Sequence, residues 1–198
     1  MGQDDMLAVI DAAVAAIRTA ADRLTDLDRA VGDGDHGANM RRGFDAIAAQ
    51  REALAALPPG EALQKAGMVL VSTVGGASGP LYGSLLMATG KALKEGQAPA
   101  EAFAAGVEAV RRRGKSDVGA KTMLDVLVPV AEALKANGGS PAGLPELAAE
   151  RLAATRDTVA TRGRASFLGE RSRGHEDPGA ASAALLVAAV CGALGGPA

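Results

Sequence analysis

Apolar residues in this chain recur at steps of three and four, in stretch after stretch, and glycine or proline closes each stretch. That periodicity places one apolar stripe on each of a series of helices and leaves no alternating segment for a strand. Met6, Leu7, Val9, Ile10, Ala13, Val14, Ile17 and Leu24 predict a first helix over about residues 4–24. Met40, Phe44, Ile47, Ala48 and Leu54 form a second, stopped by Pro58-Pro59-Gly60. Leu63, Ala66, Val69 and Leu70 form a third before Gly75-Gly76, and a fourth runs from near Pro80 through Leu93. Pro99 opens a fifth that reaches about Arg112, and Met123 to Leu134 make a sixth. The seventh is expected from Pro145 to about Thr161 and the last from about Gly179 to Leu194. The prediction is about eight helices.

Hydrophobic residues make up 48% of the 198, but aromatics only 2%, so alanine, leucine and valine must build the core. Small side chains let helices approach closely, and a β-sandwich would be richer in aromatic and β-branched residues. No linker or repeat divides the chain, which is read as one domain over residues 1–198. Lys and Arg number 21 against 23 Asp and Glu, a balance with no general pull toward nucleic acid or an anionic membrane. Cys191 is the sole cysteine, so no intrachain disulfide forms and a cytoplasmic setting is expected. The start, MGQDDMLAVIDAAV, is acidic where a secretory leader is basic, and Met6 stands where myristoylation favours Ser or Thr. The longest apolar run, Ala180 to Leu194, is expected to be too short and alanine-rich to cross a bilayer.

The connections fall into two kinds. Those after helices two, four and six are ordinary turns, whereas those after one, three, five and seven are dense in glycine and charge. Short links make successive helices antiparallel, so all four unusual connections are expected at one rim of an up-and-down bundle.

The sharpest segment runs from Asp28 to Gly37. Asp28, Asp33 and Asp35 crowd three carboxylates into a glycine-bearing loop, and like charges so close call for a cation among them. Few carboxylates without a complete cage suit Mg²⁺ shared with phosphates; the bland reading is a solvated acidic loop with an Asp capping the next helix. Three apparent motifs fail on context. Gly32, Gly34 and Gly37 mimic a dinucleotide fingerprint but follow a helix, Phe44 stands where an EF-hand needs Glu, and Ala109 replaces the first P-loop glycine. Gly75, Gly76, Ser78 and Gly79 precede a helix start that favours anions, although taken alone they read first as a plain glycine-rich turn. Arg164, Arg171 and Arg173 are candidates to meet phosphates, against a solvated basic loop. His36 and His175 stand in rim connections, where phosphate contact competes with solvent-facing or capping roles; Cys191 reads as core.

DLDRAVGDGDHGANMRRGF, VGGASGPLYG, KTMLDVLVPV and GRASFLGERSRGHEDPGAAS, in that order, resemble the ADP-binding L subunit of the dihydroxyacetone kinase family. The resemblance spans about residues 26–182 and implies an all-α barrel of antiparallel helices with nucleotide at one end. It implies that Asp28, Asp33 and Asp35 hold two Mg²⁺ ions, and that ADP or ATP meets His36, Gly37, Ala38, Asn39, Ala77, Ser78, Gly114, Met123, Arg164, Asp177, Pro178 and Gly179. Thr122 is an added candidate. Relatives commonly read GDKTM where this chain has Gly119-Ala120-Lys121-Thr122-Met123; Phe167 replaces a common Tyr and Arg173 an apolar residue.

The resemblance further implies half an enzyme, with dihydroxyacetone held on a separate K subunit and no nucleophile on this chain. In one type of relative, a phosphohistidine-carrying M subunit of the phosphotransferase system recharges bound ADP; in the other, ATP exchanges. The free-standing length fits the first type better, and the second, serving a kinase of dihydroxyacetone or of another ketose or triose, stays open, as does a homodimer. A metal- or lipid-binding bundle without catalysis is the reading from another class. The GRASFLGERSRGHEDPGA connection is expected to become ordered only around phosphates and base.

Overall fold

The computed structural model describes residues 2–195, so Met1 and residues 196–198 of the expected domain lie outside the described residues. The helices are α1 (Gln3–Val31), α2 (His36–Ala48), α3 (Arg51–Ala55), α4 (Pro59–Thr73), α5 (Ser78–Lys94), α6 (Pro99–Gly114), α7 (Leu124–Ala136), α8 (Leu144–Ala154) and α9 (Pro178–Gly195). Two 3₁₀ segments, Thr155–Asp157 and Arg164–Ser172, lie between α8 and α9, and no strand occurs among the described residues.

Neighbour packs on neighbour in a closed circuit: α1 on α2, α2 on α4, then α5, α6, α7, α8 and α9 in turn, with α9 returning to α1. The short α3 leans on α1 and α4 outside that ring. Ile17, Leu24, Met40, Leu70, Leu124 and Val126 are among the side chains buried in its one large core. An all-α barrel of eight antiparallel helices, as expected, is the result.

The seam between α4 and α5 shows how a chain poor in aromatics packs tightly. A Cβ on Gly60 would fall 2.7 Å from the Gly90 carbonyl oxygen, and one on Gly67 would fall 2.9 Å from that of Gly83. The two pairs are seven residues apart on both helices, so the backbones touch along two turns.

Three boundaries differ from expectation. Helix α1 continues past Leu24 to Val31 because Asp28 and Val31 keep its buried stripe going. The second predicted helix breaks at Ala49-Gln50, where no glycine or proline marks the stop. The seventh ends at Ala154, giving way to the 3₁₀ turn and then extended backbone at Thr158. Helix α9 is 18 residues, long and apolar enough by composition to cross a bilayer, against the expectation from Ala180–Leu194. Its face bearing Ala180, Ala181, Ala183 and Ala184 is nevertheless buried in the ring. Cys191, expected as core, is half-buried near its end.

Candidate functional site

Asp28 is not in a loop. It lies on the last turn of α1, 6% exposed. Its Oδ2 accepts the backbone N–H groups of Asp35 at 2.9 Å and His36 at 3.1 Å, satisfying donors that the start of α2 leaves free. Asp33 and Asp35 are exposed, and one ligand oxygen from each of the three acids lies within 4.8 Å of the others. An all-carboxylate set at that spacing fits a hard divalent cation such as Mg²⁺. The chain's own cation here is Arg164, whose Nη2 stands 2.8 Å from Asp33 Oδ2.

Three helix N-termini meet beside the acids: α2 at His36, α5 at Ser78 and α9 at Pro178. Side chains lash them together. His36 Nδ1 is 3.1 Å from Ser78 Oγ, and His36 Nε2 is 3.0 Å from Ser182 Oγ. Tyr82 Oη joins the same Ser182 oxygen at 2.7 Å, and Ser182 donates to the Gly179 carbonyl at 3.0 Å. With that proton committed to Gly179, His36 Nε2–H and Tyr82 O–H donate to Ser182, and Ser78 donates to Nδ1. Burial holds the His36 imidazole below its usual pKa against the pull of Asp28 and Asp35, so it is neutral at pH 7. His36 therefore faces inward, neither toward solvent nor as a charged group, while His175 is exposed. Converging helix N-termini give a field and free N–H groups suited to phosphate.

The other two rim connections join from the α7 and α9 side. A Cβ on Gly179 would be 3.5 Å from the Met123 backbone nitrogen, so these two expected residues are neighbours. Asp177 caps α9, its Oδ2 accepting the Ala180 N–H at 2.7 Å. Burial pushes the Asp177 carboxyl up to about 7, with the Ala180 N–H opposing and Asp125 adding to the shift. Asp125 is buried and accepts the N–H groups of Gly119 and Thr122, both at 2.7 Å. Thr122 Oγ1 accepts from Leu124 N–H at 3.2 Å. Ala120, in the place of the common family acid, is buried and adds no carboxylate.

Lys121 organises the long connection before α9. It is 1% exposed, and its Nζ donates to the carbonyls of Thr155 (2.8 Å), Thr158 (3.2 Å), Ser172 (2.7 Å) and His175 (2.7 Å). The connection expected to become ordered around phosphates and base thus also carries a cation of the protein's own. Phe167 projects from that connection, 89% exposed.

Other expected residues are more scattered. Asn39 is buried and accepts from Arg42 Nη2 at 2.6 Å, while Arg42 Nε reaches the Thr73 carbonyl at 2.7 Å. Gly37 is packed against α1 at Ala21 and Thr25; Ala38 and Ala77 are exposed. Gly114 ends α6 near Leu81, next to a cleft of about 700 Å³ lined in part by Arg111, Arg112, Lys115 and Ser116.

The sequence matches the DAK2 domain family over residues 30–192. The chain belongs to that family. This DAK2 domain is 45% identical over 170 residues to the ADP-binding subunit DhaL of PEP-dependent dihydroxyacetone kinase 1 from Listeria innocua, covering 82% of each. It is 41% identical over 181 residues to the corresponding Escherichia coli subunit, covering 85% of this chain and 86% of that one. Those relatives are subunits of a kinase. The crystal structure of the C. freundii dihydroxyacetone kinase superposes with a TM-score of 0.80 at 25% identity, over 94% of this chain. The DAK2 domain spans only 34% of that longer chain, which has also been crystallised in complex with AMP-PNP and Mg²⁺.

Sequence reasoning missed Lys121, Asp125, Arg42, Tyr82 and Ser182. Lys121, Asp125, Tyr82 and Ser182 are polar residues in or beside helices whose burial no local pattern announces, and Arg42 is exposed but turned onto Asn39 and the Thr73 carbonyl. The usable signal was the four family-like segments, which contain all five residues without announcing their contacts.

Proposed function

We propose that this chain is the nucleotide-bearing subunit of a dihydroxyacetone kinase, presenting the γ-phosphoryl of a Mg²⁺-bound nucleotide to dihydroxyacetone on a separate K subunit. The observation that carries the reading is the convergence of the α2, α5 and α9 N-termini beside Asp28, Asp33 and Asp35. The α2 and α5 starts and the Asp177–Gly179 cap receive phosphate oxygens, and Arg164 adds a forked donor. Asp28, Asp33 and Asp35 hold two Mg²⁺ ions, which when bound neutralise the charge spread over the phosphates. Met123, Thr122 and Gly114 would hold the base. His36 is internally bonded and the transfer needs no nucleophile from this chain, so catalysis is positioning and charge neutralisation.

The whole of residues 1–198 acts as one such domain in the cytoplasm, alongside a K subunit whose docking face covers this rim. The phosphoryl donor follows the named relatives: a PEP-dependent system, with bound ADP recharged by a phosphohistidine-carrying M subunit. Denaturing the purified protein and chromatographing the supernatant tests this. Stoichiometric ADP supports the recharged type. An empty site that binds ATP reversibly assigns the exchanging type instead, and no Mg-nucleotide binding at all overturns the function.

A further inference from the structure

Four backbone carbonyls do not converge on one buried point without a cation, because their partial charges repel and each needs a donor. Those of Thr155, Thr158, Ser172 and His175 converge on Lys121 Nζ, which has three protons to share among four acceptors. The acceptors bracket the 3₁₀ segment Arg164–Ser172, so one ammonium gathers both ends of the connection. Lys121 also sits at φ 61°, a left-handed backbone rare for a lysine, immediately before Thr122 and Met123. One residue thus fixes the turn into α7 and the connection into α9. Glu176, paired with Arg23 at 3.0 Å and Arg156 at 3.1 Å, anchors the far end.

We propose that Lys121 is a positioning residue for the nucleotide site, its ammonium serving as a built-in cation that holds residues 155–177 so that Arg164 and Asp177–Gly179 face the ligand. This rests on the nucleotide reading above, but the clamp itself does not. Loss of the ammonium leaves the Thr158, Ser172 and His175 carbonyls without that donor, while Thr155 keeps the Thr158 N–H and hydroxyl, and this frees the connection and disperses its ligand contacts.

The test compares the parent with Lys121→Met by limited proteolysis without nucleotide and by calorimetric titration with Mg-ADP. The variant is expected to be cut faster between residues 155 and 177 and to bind about tenfold or more weakly. A second pair covers a Lys121→Met chain that does not fold. Lys121→Cys in a Cys191→Ser background is alkylated in denaturant with 2-bromoethylamine, or with iodoethane, and refolded. The aminoethyl side chain restores an ammonium at nearly the native reach; it is expected to regain parental resistance and affinity, and the uncharged ethyl side chain is not. Parental resistance and affinity in Lys121→Met, or equal recovery by both alkylated proteins, overturns the proposal. A parent that binds no Mg-ADP sinks the nucleotide reading and the positioning role with it, while the proteolysis comparison still judges the clamp alone.

Discussion

Arg164 crosses the rim to Asp33, 2.8 Å away, so the cation of the last connection sits on one of the three crowded acids. The arginine side chain is 64% exposed, and a pair so wet contributes little to stability. Its importance is positional, since the same guanidinium is within reach of whatever binds those acids. Arg164→Ala is expected to leave the melting temperature unchanged and to weaken Mg-ADP binding by about 1–3 kcal/mol. It should also leave residues 155–177 resistant to protease, because Lys121 still holds them. Melting, calorimetry and proteolysis on one variant check all three parts; a loosened connection would show that the arginine, not the lysine, keeps it ordered.

The three acids should separate by substitution. Asp33 and Asp35 are exposed, so Asp33→Ala or Asp35→Ala is expected to abolish Mg-dependent ADP binding with the helical fold intact. Asp28 also accepts two backbone N–H groups, so Asp28→Ala should lose both binding and about 1–3 kcal/mol of stability. Urea unfolding beside Mg-ADP titration checks this. Undiminished affinity in the Asp33 and Asp35 variants would remove the metal assignment.

The eight helices of the ring and their shared rim were legible because apolar period and glycine or proline stops are local signals. Their closure into a barrel was implied only by the family resemblance. Boundaries failed where a buried polar group continues a helix, as Asp28 does in α1. A break without a breaker, at Ala49-Gln50, was equally invisible. The acid cluster was readable from its spacing, but the network around it was not. Lys121 in a glycine-rich polar turn looks solvated, and only four carbonyls distant in sequence make it a buried keystone. Tyr82 and Ser182 meet across 100 residues for the same reason.

Given ATP, Mg²⁺ and dihydroxyacetone, the purified chain alone is expected to show no phosphorylation above background. Its described helices are spent on one closed ring, His36 is internally bonded, and the proposed function puts the dihydroxyacetone site on the K subunit. A coupled assay with and without a K subunit decides the matter. Turnover by the single chain would place a substrate site where none has been assigned.

Asp177 gives the fold a pH dependence of definite sign. Its carboxyl sits at about 7 in the folded protein, mainly from burial, against about 3.9 in an unfolded chain. The folded state therefore binds this proton more tightly. The resulting stabilisation is complete below about pH 4 and is lost as pH rises through about 7, so unfolding free energy should decline across that window by on the order of 2–4 kcal/mol from this group. Asparagine keeps the cap on α9 and cannot ionise. Asp177→Asn should flatten the decline, and relative to the parent it should be more stable at pH 8 than at pH 5. Urea unfolding from pH 4 to 8 on both proteins makes the comparison. If the two curves run parallel, the carboxyl does not hold its proton in the folded state and the origin of the slope lies elsewhere.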